Sequence, residues 1–395
     1  MRLSQLELGI RLICASMLAL AACGQAATTS GTPATSDSND AATQEVIATQ
    51  DAAVADIPPQ ADTSALPADA QPDTNKPDIP ATDTHKPDIP ATGTWTGRPF
   101  PDTTATIGVL VDQLTSGLTA AQQQFVVDHF VGTQKQSLKL SKPLRALKPD
   151  FLVLHYHLAM WQGVVTYIRD GQTWTNDLPF VTNNESWFWH NEAGSRVQSL
   201  NDGKYLMKID EPGFQAYWLK SVIAQVKAGD YDAIFLDSAS PALLQSEAQK
   251  PAEPRLKGTG VKTTPIKEMG GKTFIEAWNI WMKSLNDALA AEGIPLLPNT
   301  GPYITTWDNS DYNLTQGVFV EGFASPNFAP NDWKASTNQL LTHATNNKIM
   351  ILQSYLSKPD DLKKRRYYLA NYLLVKGSRT YLDYFAGSTL QWYPE

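Results

Sequence analysis

The sequence has very little cysteine. Among 395 residues only Cys14 and Cys23 occur, and both lie within the first 23 positions. Residues 24–395 therefore contain no thiol. This absence excludes disulfide bonds, thiolate metal sites and cysteine nucleophiles from everything that follows Cys23.

Long hydrophobic runs are also missing. The apolar run near the N-terminus, residues 12–22, is too short to span a membrane. Arg2 and Arg11 precede it, and the tetrapeptide LAAC closes it at Cys23. This tetrapeptide resembles the lipobox of bacterial lipoproteins, which implies cleavage before Cys23 and acylation of its thiol. The alternative is an ordinary secretory signal with an incidental cysteine.

The lipobox resemblance also implies a location. Residues 1–22 would be a signal peptide, and Cys23 would be the lipidation site that anchors the protein in the bacterial cell envelope. Gly24, rather than an aspartate, follows the cysteine. This favours the outer membrane or the cell surface.

Aromatic residues are nearly absent from residues 24–94, which are rich in Ala, Thr, Asp and Pro. Such a segment cannot bury enough apolar surface to offset its chain entropy, so residues 23–95 are predicted to form a disordered tether. The ten-residue unit KPDIPATDTH begins at position 76, and a close copy begins at position 86. Two prolines in each unit are typical of an extended, semi-rigid spacer.

The part of the chain after the tether has almost no net charge. The whole sequence has a formal charge of −8, but the tether alone carries eleven acidic residues against two lysines. Residues from 96 onward are therefore close to neutral. A neutral domain argues against electrostatic binding of nucleic acid and fits an uncharged ligand.

What residues 96–395 do contain is an alternation of apolar runs with helical patterns, over a length suited to one α/β barrel. We predict eight strands, at 106–112, 131–134, 151–157, 233–236, 294–299, 317–322, 348–355 and 379–384. The predicted fold class is a (β/α)8 TIM barrel in the α/β class. A doubly wound sheet is the alternative, because the run at 131–134 is weak. Polar groups recur at strand ends all the way round, which favours the barrel.

The polar residues that end these strands are the candidate site residues. In a barrel the C-terminal ends of the strands meet on one face, so we expect these side chains to converge there: Asp112, His155, His157, Asp237, Asn299, Glu321, Gln353, Tyr355 and Asp383. Asp237 and Glu321 each follow an apolar run, where an unpaired carboxylate is costly unless it is hydrogen-bonded or functional. Two carboxylates across a cleft are what a glycosidase uses.

Four short motifs carry a resemblance to a known family: YDAIFLDS at 231–238, PLLPNTG at 295–301, VFVEGF at 318–323 and ILQSY at 351–355. In this order they resemble the hypothetical glycosyl hydrolase family 15, over residues 104–395. The resemblance implies a barrel and a carbohydrate hydrolase. By analogy with retaining barrels, Asp237 after strand four would be the nucleophile or charge stabiliser, and Glu321 after strand six the acid/base.

Other residues complete the predicted site. Asn299 and Gln353 are suited to hydrogen-bond sugar hydroxyls, and Trp187 and Trp189 lie in a loop where flat rings could stack on sugars. We expect no cofactor, and a carbohydrate as the partner.

Two alternatives stay open. One is a barrel that binds carbohydrate without cleaving it. The other is a metal-dependent hydrolase that uses His155 and His157, because alternate residues of a strand share a face. The later strands supply no further histidine, so substrate contact by one histidine and packing of the other are the preferred roles.

Overall fold

The computed structural model describes residues 97–393, except for 113, 115–116, 164–166, 170–171, 175–176, 192, 200–202, 242–243, 245–264, 303, 305–309, 327, 387–389 and 391. The predicted signal peptide, the tether and Cys23 lie outside the described residues, and their roles stay predictions. None of the helices in the described part combines the length and apolar character that crossing a bilayer requires.

Twelve strands occur in the described residues. They are β1 (Gly108–Val111), β2 (Gly132–Gln134), β3 (Leu152–Leu158), β4 (Trp161–Gln162), β5 (Tyr167–Arg169), β6 (Gln172–Trp174), β7 (Tyr205–Leu206), β8 (Ala233–Asp237), β9 (Leu296–Pro298), β10 (Gly317–Glu321), β11 (Ile349–Tyr355) and β12 (Thr380–Phe385). The helices are α1 (Ala120–His129), α2 (Leu138–Leu147), α3 (Leu178–Val181), α4 (Pro212–Gly229), α5 (Phe274–Ala291), α6 (Pro330–Thr345) and α7 (Leu362–Val375).

Eight of the strands form one parallel sheet in the order β10-β11-β12-β1-β2-β3-β8-β9. Its two edges meet at a bridge between Asn299, just after β9, and Phe319 in β10. There the Thr300 N–H donates to the Phe319 carbonyl at 2.9 Å. The sheet is therefore a nearly closed (β/α)8 barrel, which confirms the predicted fold class. The short strand at 131–134 belongs to it as β2.

Side chains inside the barrel form a small apolar core of their own. Leu110, Leu154, Phe235, Phe319 and Ile351 belong to this core, together with other residues from the same strand faces. A larger core lies between the strands and the surrounding helices. Because successive residues of a strand point to opposite faces, each barrel strand contributes to both cores. Where a polar residue follows the last inward-facing apolar residue of a strand on the same face, its side chain lies at the mouth of the barrel.

A buried ion cluster fixes the opposite end of the barrel, where β8 begins. The Asp232 carboxylate accepts from the Arg145 guanidinium at 2.6 Å, from the Val153 N–H at 2.8 Å and from the Arg98 guanidinium at 3.1 Å. These donors satisfy a carboxylate that is almost fully buried. The cluster connects the segment before β1 with the starts of β3 and β8, away from the polar mouth.

The long loop predicted after β3 contains local structure. Strands β4 and β7 pair antiparallel, and β5 and β6 form a second two-stranded ribbon. Helix α3 and a short 3₁₀ turn, Glu185–Trp187, lie between the ribbon and β7. This loop brings Lys204 to a buried position before β7, where its charge acts on Asp237.

Candidate active site

Asp237 is the last residue of β8 and Glu321 the last residue of β10. Each continues the inward face of its strand, two residues beyond Phe235 and Phe319, whose rings pack inside the barrel at 4.3 Å between centroids. Both carboxylates are half-buried at the mouth. The fourth and sixth strands of the barrel therefore carry the pair, as the strand count from the sequence predicts.

The Asn299 side chain joins the two carboxylates. Its Nδ2 donates to Asp237 Oδ1 at 3.0 Å and to Glu321 Oε2 at 2.5 Å. Its Oδ1 accepts the Gly301 N–H at 2.9 Å, which fixes which end of the amide faces the carboxylates. Because both oxygens bond one nitrogen, they lie no more than about 5.5 Å apart, the sum of the two distances.

A tyrosine holds each carboxylate on its other oxygen. The Tyr156 hydroxyl, from β3, donates to Asp237 Oδ2 at 2.6 Å, and the Tyr355 hydroxyl, at the end of β11, donates to Glu321 Oε1. Burial, with Glu321 close by, raises the pKa of Tyr355, so it stays a donor. Four donor contacts thus fix the position of two side chains that would otherwise rotate freely.

The pKa values of the pair move in opposite directions. Burial acts to raise the pKa of Asp237, but the charges of Lys204 and Lys135 and two hydrogen bonds outweigh it, so this pKa is lowered. Burial raises the pKa of Glu321. The positive charge of Lys135 acts to lower this pKa, and the negative charge of Asp237 raises it further. At a pH between the two pKa values, one carboxylate is ionised while the other holds a proton.

Lys135 is a site residue that the sequence does not reveal. It follows β2 with a left-handed backbone (φ 54°), and its Nζ lies 3.7 Å from Asp112 Oδ2. The same ammonium lies 5.5 Å and 5.3 Å from the ring centroids of Tyr156 and Phe235. Because β2 is only three residues long, the sequence offers no pattern that places this cation in the barrel mouth.

The chain turns sharply where two of the site strands end. Ser238, next to Asp237, has φ 52°, and Gly322, next to Glu321, has φ 80°. A non-glycine residue in the left-handed region costs about 1–3 kcal/mol and is typical of functional sites. The turn at Ser238 therefore holds backbone strain beside Asp237.

A second polar group lies beside the carboxylate pair. Gln353 Nε2 donates to Asp112 Oδ2 at 3.0 Å and to Asp383 Oδ2 at 2.9 Å. Burial and the neighbouring Asp112 charge raise the pKa of Asp383 well above its usual range. The structure therefore brings seven of the predicted site residues together at the barrel mouth: Asp112, Asp237, Asn299, Glu321, Gln353, Tyr355 and Asp383.

The histidines of β3 do not join this group. Tyr156 faces the barrel interior, so its neighbours His155 and His157 face outward, beneath α4. His157 Nε2 lies 3.0 Å from Asp177 Oδ2, and the His155 ring lies 4.8 Å from that of Tyr231. Burial lowers the pKa of His155 well below its usual range.

We expected the two histidines to lie at the barrel mouth, but they face the helices. The alternation of side chains along a strand is the physical reason. The HYH triplet has two histidines on one face and a tyrosine on the other, and the sequence does not say which face is inward. Within the described residues no group of three or more His, Cys, Asp or Glu side chains is arranged to hold a metal ion. The residue that reaches Asp237 from β3 is Tyr156, which the sequence reading missed.

The two loop tryptophans pack on the protein itself. The Trp187 ring lies 6.3 Å and 5.9 Å from the rings of Phe214 and Tyr217 on α4. Trp189 is almost fully buried. The structure places neither ring in contact with Asp237 or Glu321, so sugar stacking by these two residues stays a prediction.

The fold and the site define a (β/α)8 barrel with a carboxylate pair at the C-terminal ends of strands four and six. Residues 145–395 match the family described as hypothetical glycosyl hydrolase family 15. This match covers well over half of the chain, and the protein belongs to that family. Its family is thus one of hypothetical glycosyl hydrolases. No curated protein matches the chain significantly.

Solved structures with a similar fold are distant in sequence. A maltogenic alpha-amylase from Thermotoga neapolitana has a TM-score of 0.39 and 10% identity, over 70% of this chain and 67% of that one. An alpha-galactosidase from Geobacillus stearothermophilus has a TM-score of 0.42 and 6% identity, over 70% and 38% of the two chains.

A cycloalternan-degrading enzyme from Trueperella pyogenes has a TM-score of 0.43 and 9% identity, over 72% of this chain and 44% of that one. The chain thus spans less than half of the length of the galactosidase and of the cycloalternan-degrading enzyme. At these distances the likenesses carry no argument about activity or substrate.

Proposed function

We propose that the protein is a retaining glycoside hydrolase that cleaves a poly- or oligosaccharide. Asp237 is the nucleophile and Glu321 is the acid/base. One observation carries the proposal: the shared Asn299 amide keeps the facing oxygens of the two carboxylates within about 5.5 Å. Retaining enzymes have their carboxyl groups about 5–5.5 Å apart, whereas inverting enzymes need about 6.5–9.5 Å to admit a water.

The first step breaks the glycosidic bond. An Asp237 oxygen attacks the anomeric carbon, while the electrons of the bond from that carbon to the leaving oxygen pass to the oxygen. Glu321 gives its proton to this oxygen, so the leaving sugar departs as a neutral alcohol. Asp237 is then esterified to the sugar, and Glu321 is a carboxylate.

The second step releases the sugar. Glu321 now takes a proton from a water, whose oxygen attacks the same anomeric carbon, and the ester bond to Asp237 breaks. Two displacements at one carbon restore its configuration. The pKa directions fit these roles, because the nucleophile must be ionised and the acid must start with its proton.

The stereochemistry of the product tests this proposal. We expect the intact protein to hydrolyse at least one glycan in a broad panel, with the first-formed product keeping the anomeric configuration of the substrate. Proton NMR taken before mutarotation distinguishes the two anomers. Net inversion, or binding of a glycan with no cleavage of any, would contradict a retaining hydrolase, and the latter outcome would favour the carbohydrate-binding alternative.

The location of the enzyme follows from the N-terminal sequence rather than from the barrel. We propose that a lipid on Cys23 anchors the protein in the bacterial cell envelope and that the tether holds the barrel away from the membrane. We expect Cys23→Ser to move the protein from the membrane fraction to the soluble fraction, with the barrel still folded. Unchanged fractionation of this variant would refute the anchor.

A further inference from the structure

The catalytic carboxylates occupy only one side of the barrel mouth. The other side, formed by β1, β2, β11 and β12, carries four buried polar side chains: Asp112, Gln134, Gln353 and Asp383. Each of them is at most 6% exposed. We call this group the polar wall. The proposed mechanism assigns no role to it.

The polar wall adjoins the catalytic pair directly. In the sheet register Glu321 lies opposite Gln353, and Gln353 lies opposite Asp383. Neighbouring strands are about 4.8 Å apart, so Asp383 is about 10 Å from Glu321 along the wall. Lys135, whose Nζ lies 3.7 Å from Asp112 Oδ2, also acts on Asp237, so a sugar bound at Asp237 shares the mouth with the wall.

Several hydrogen-bonding atoms of the wall are unused. Gln353 donates to one oxygen of Asp112 and to one oxygen of Asp383, but the Oδ1 atoms of both aspartates have no partner among the described residues. Neither Oε1 nor Nε2 of Gln134 has a partner there either. The pairing of Leu110 with Gly132 and of Val111 with Thr133 puts Gln134 beside Asp112 on the inward face.

Unused polar atoms at this depth point to a ligand. Buried polar groups in folded proteins nearly always have a hydrogen-bond partner, and leaving one unpaired costs free energy. The four unpaired atoms lie on three neighbouring strands, β12, β1 and β2, around one mouth. Side-chain packing alone gives no reason for leaving them unpaired. Three of the four are acceptors, so the missing groups are mainly hydrogen-bond donors.

We propose that the polar wall binds the donor groups of the sugar residue whose bond is cleaved, and that this sugar is a neutral or amino hexose rather than a uronic acid. Asp112, Asp383 and Gln134 Oε1 accept from adjacent substituents of the ring, and Gln134 Nε2 donates to a ring or hydroxyl oxygen. The inference rests on the proposed glycoside hydrolase function and gives it a substrate class.

Charge disfavours the acidic sugars. The Asp112 charge already raises the pKa of Asp383, so a further negative charge is unfavourable at this wall, although Lys135 Nζ lies 3.7 Å from Asp112 Oδ2. A sugar carboxylate would meet the same repulsion from Asp112 in a buried setting. Hydroxyl and ammonium groups carry no negative charge and are not repelled. Each unused aspartate oxygen can accept a hydrogen bond from them.

Equilibrium binding of single sugars to the intact protein tests the proposal. The panel is glucose, galactose and mannose, the uronic acids of glucose and galactose, and the 2-amino sugars glucosamine and galactosamine. We expect at least one neutral or amino hexose to bind, and the uronic acid of the same configuration to bind at least about tenfold more weakly. If the 2-amino sugar binds more tightly than the neutral sugar of the same configuration, an ammonium group is the donor. If the two bind equally, hydroxyl groups are the donors.

Variants locate the binding on the wall. Asp383→Asn is expected to weaken binding of the preferred sugar about tenfold or more. Gln353 holds the amide oxygen at the Oδ2 position, which leaves an NH2 group, unable to accept, at the Oδ1 position. Asp287→Asn, which changes an exposed aspartate on α5 that pairs only locally with Lys283, should leave binding unchanged. Thermal unfolding checks that each variant is folded, and Gln134→Ala replaces Asp383→Asn if the latter is not.

Three results would overturn the inference: equal binding of a uronic acid and its neutral partner, undiminished binding in a folded Asp383→Asn or Gln134→Ala variant, or no binding of any panel member. Binding is measured without turnover. A failure of the polar wall is therefore distinguishable from a failure of Asp237 and Glu321, which is detected by product analysis.

Discussion

Glu321→Gln is expected to slow hydrolysis of an unactivated glycan by about 10²–10⁴-fold, the usual contribution of a positioned acid. An amide cannot protonate the leaving oxygen. An aryl glycoside with an acidic phenol as leaving group needs no such proton, so bond cleavage in that substrate should be affected far less. The second step also uses Glu321, so the first-turnover rate of phenol release, compared with the first-turnover cleavage rate of the unactivated glycan, gives the comparison.

The pH profile supplies a second readout of the same change. Burial and Asp237 raise the pKa of Glu321, and the wild-type enzyme loses activity as the pH rises through that pKa because the acid loses its proton. The Gln variant has no proton to lose, so its profile should lack this alkaline limb. Glu292→Gln, at a partly exposed pair with Lys227 away from the barrel mouth, is the matched control and should keep both the rate and the limb. Equal losses on both substrates would argue against Glu321 as the acid.

Asp237→Asn is expected to reduce hydrolysis of both substrates by about 10⁴-fold or more, the scale seen when one member of a catalytic unit is removed. The leaving group does not matter here because the amide cannot form the covalent intermediate. Tyr156 and Asn299 still occupy the same positions, so the fold should be retained. Steady-state rates and thermal unfolding separate loss of chemistry from loss of structure.

A smaller side chain distinguishes a nucleophile from a charge stabiliser. In Asp237→Gly, azide can enter the vacated space, attack the anomeric carbon of an activated glycoside and displace the leaving group directly. One displacement inverts the configuration, so the expected product is a glycosyl azide of opposite anomeric form. If the variant with azide forms no such product, or if Asp237→Asn keeps near-native activity, Asp237 is not the nucleophile.

The sequence reading located the mouth of the barrel from strands in which an apolar run ends in a polar residue on the inward face. Asp237 and Glu321 follow runs of three or four buried residues, and parallel strands bring such ends together on one face. The same reasoning gathered Asn299, Gln353 and Asp383 at the barrel mouth, where the structure finds them hydrogen-bonded to carboxylates. Local pattern was sufficient because strand order in a barrel follows chain order.

The same reading failed where the inward face had to be known. In β3 the histidines face the helices and Tyr156 faces the mouth, because Leu154 and Leu158 share the inner core with it. Lys135 and Gln134 were missed because β2 has only three residues, two of which are glycine and threonine, and shows no alternation. The Trp187 ring packs against Phe214 and Tyr217 of α4, and sugar stacking by Trp187 and Trp189 stays a prediction.

The sequence by itself determined the class of fold, the neutral charge of the domain and the two strands that end in carboxylates. These properties depend on composition and on the local spacing of apolar residues, and both can be read from the sequence without a structure. Only the tertiary structure decided that one Asn299 amide bonds both carboxylates and that Lys135 and Lys204 act on Asp237 while Tyr156 holds it. Those contacts join residues far apart in the chain, and the folded barrel with its loops brings them within hydrogen-bonding or Coulombic range.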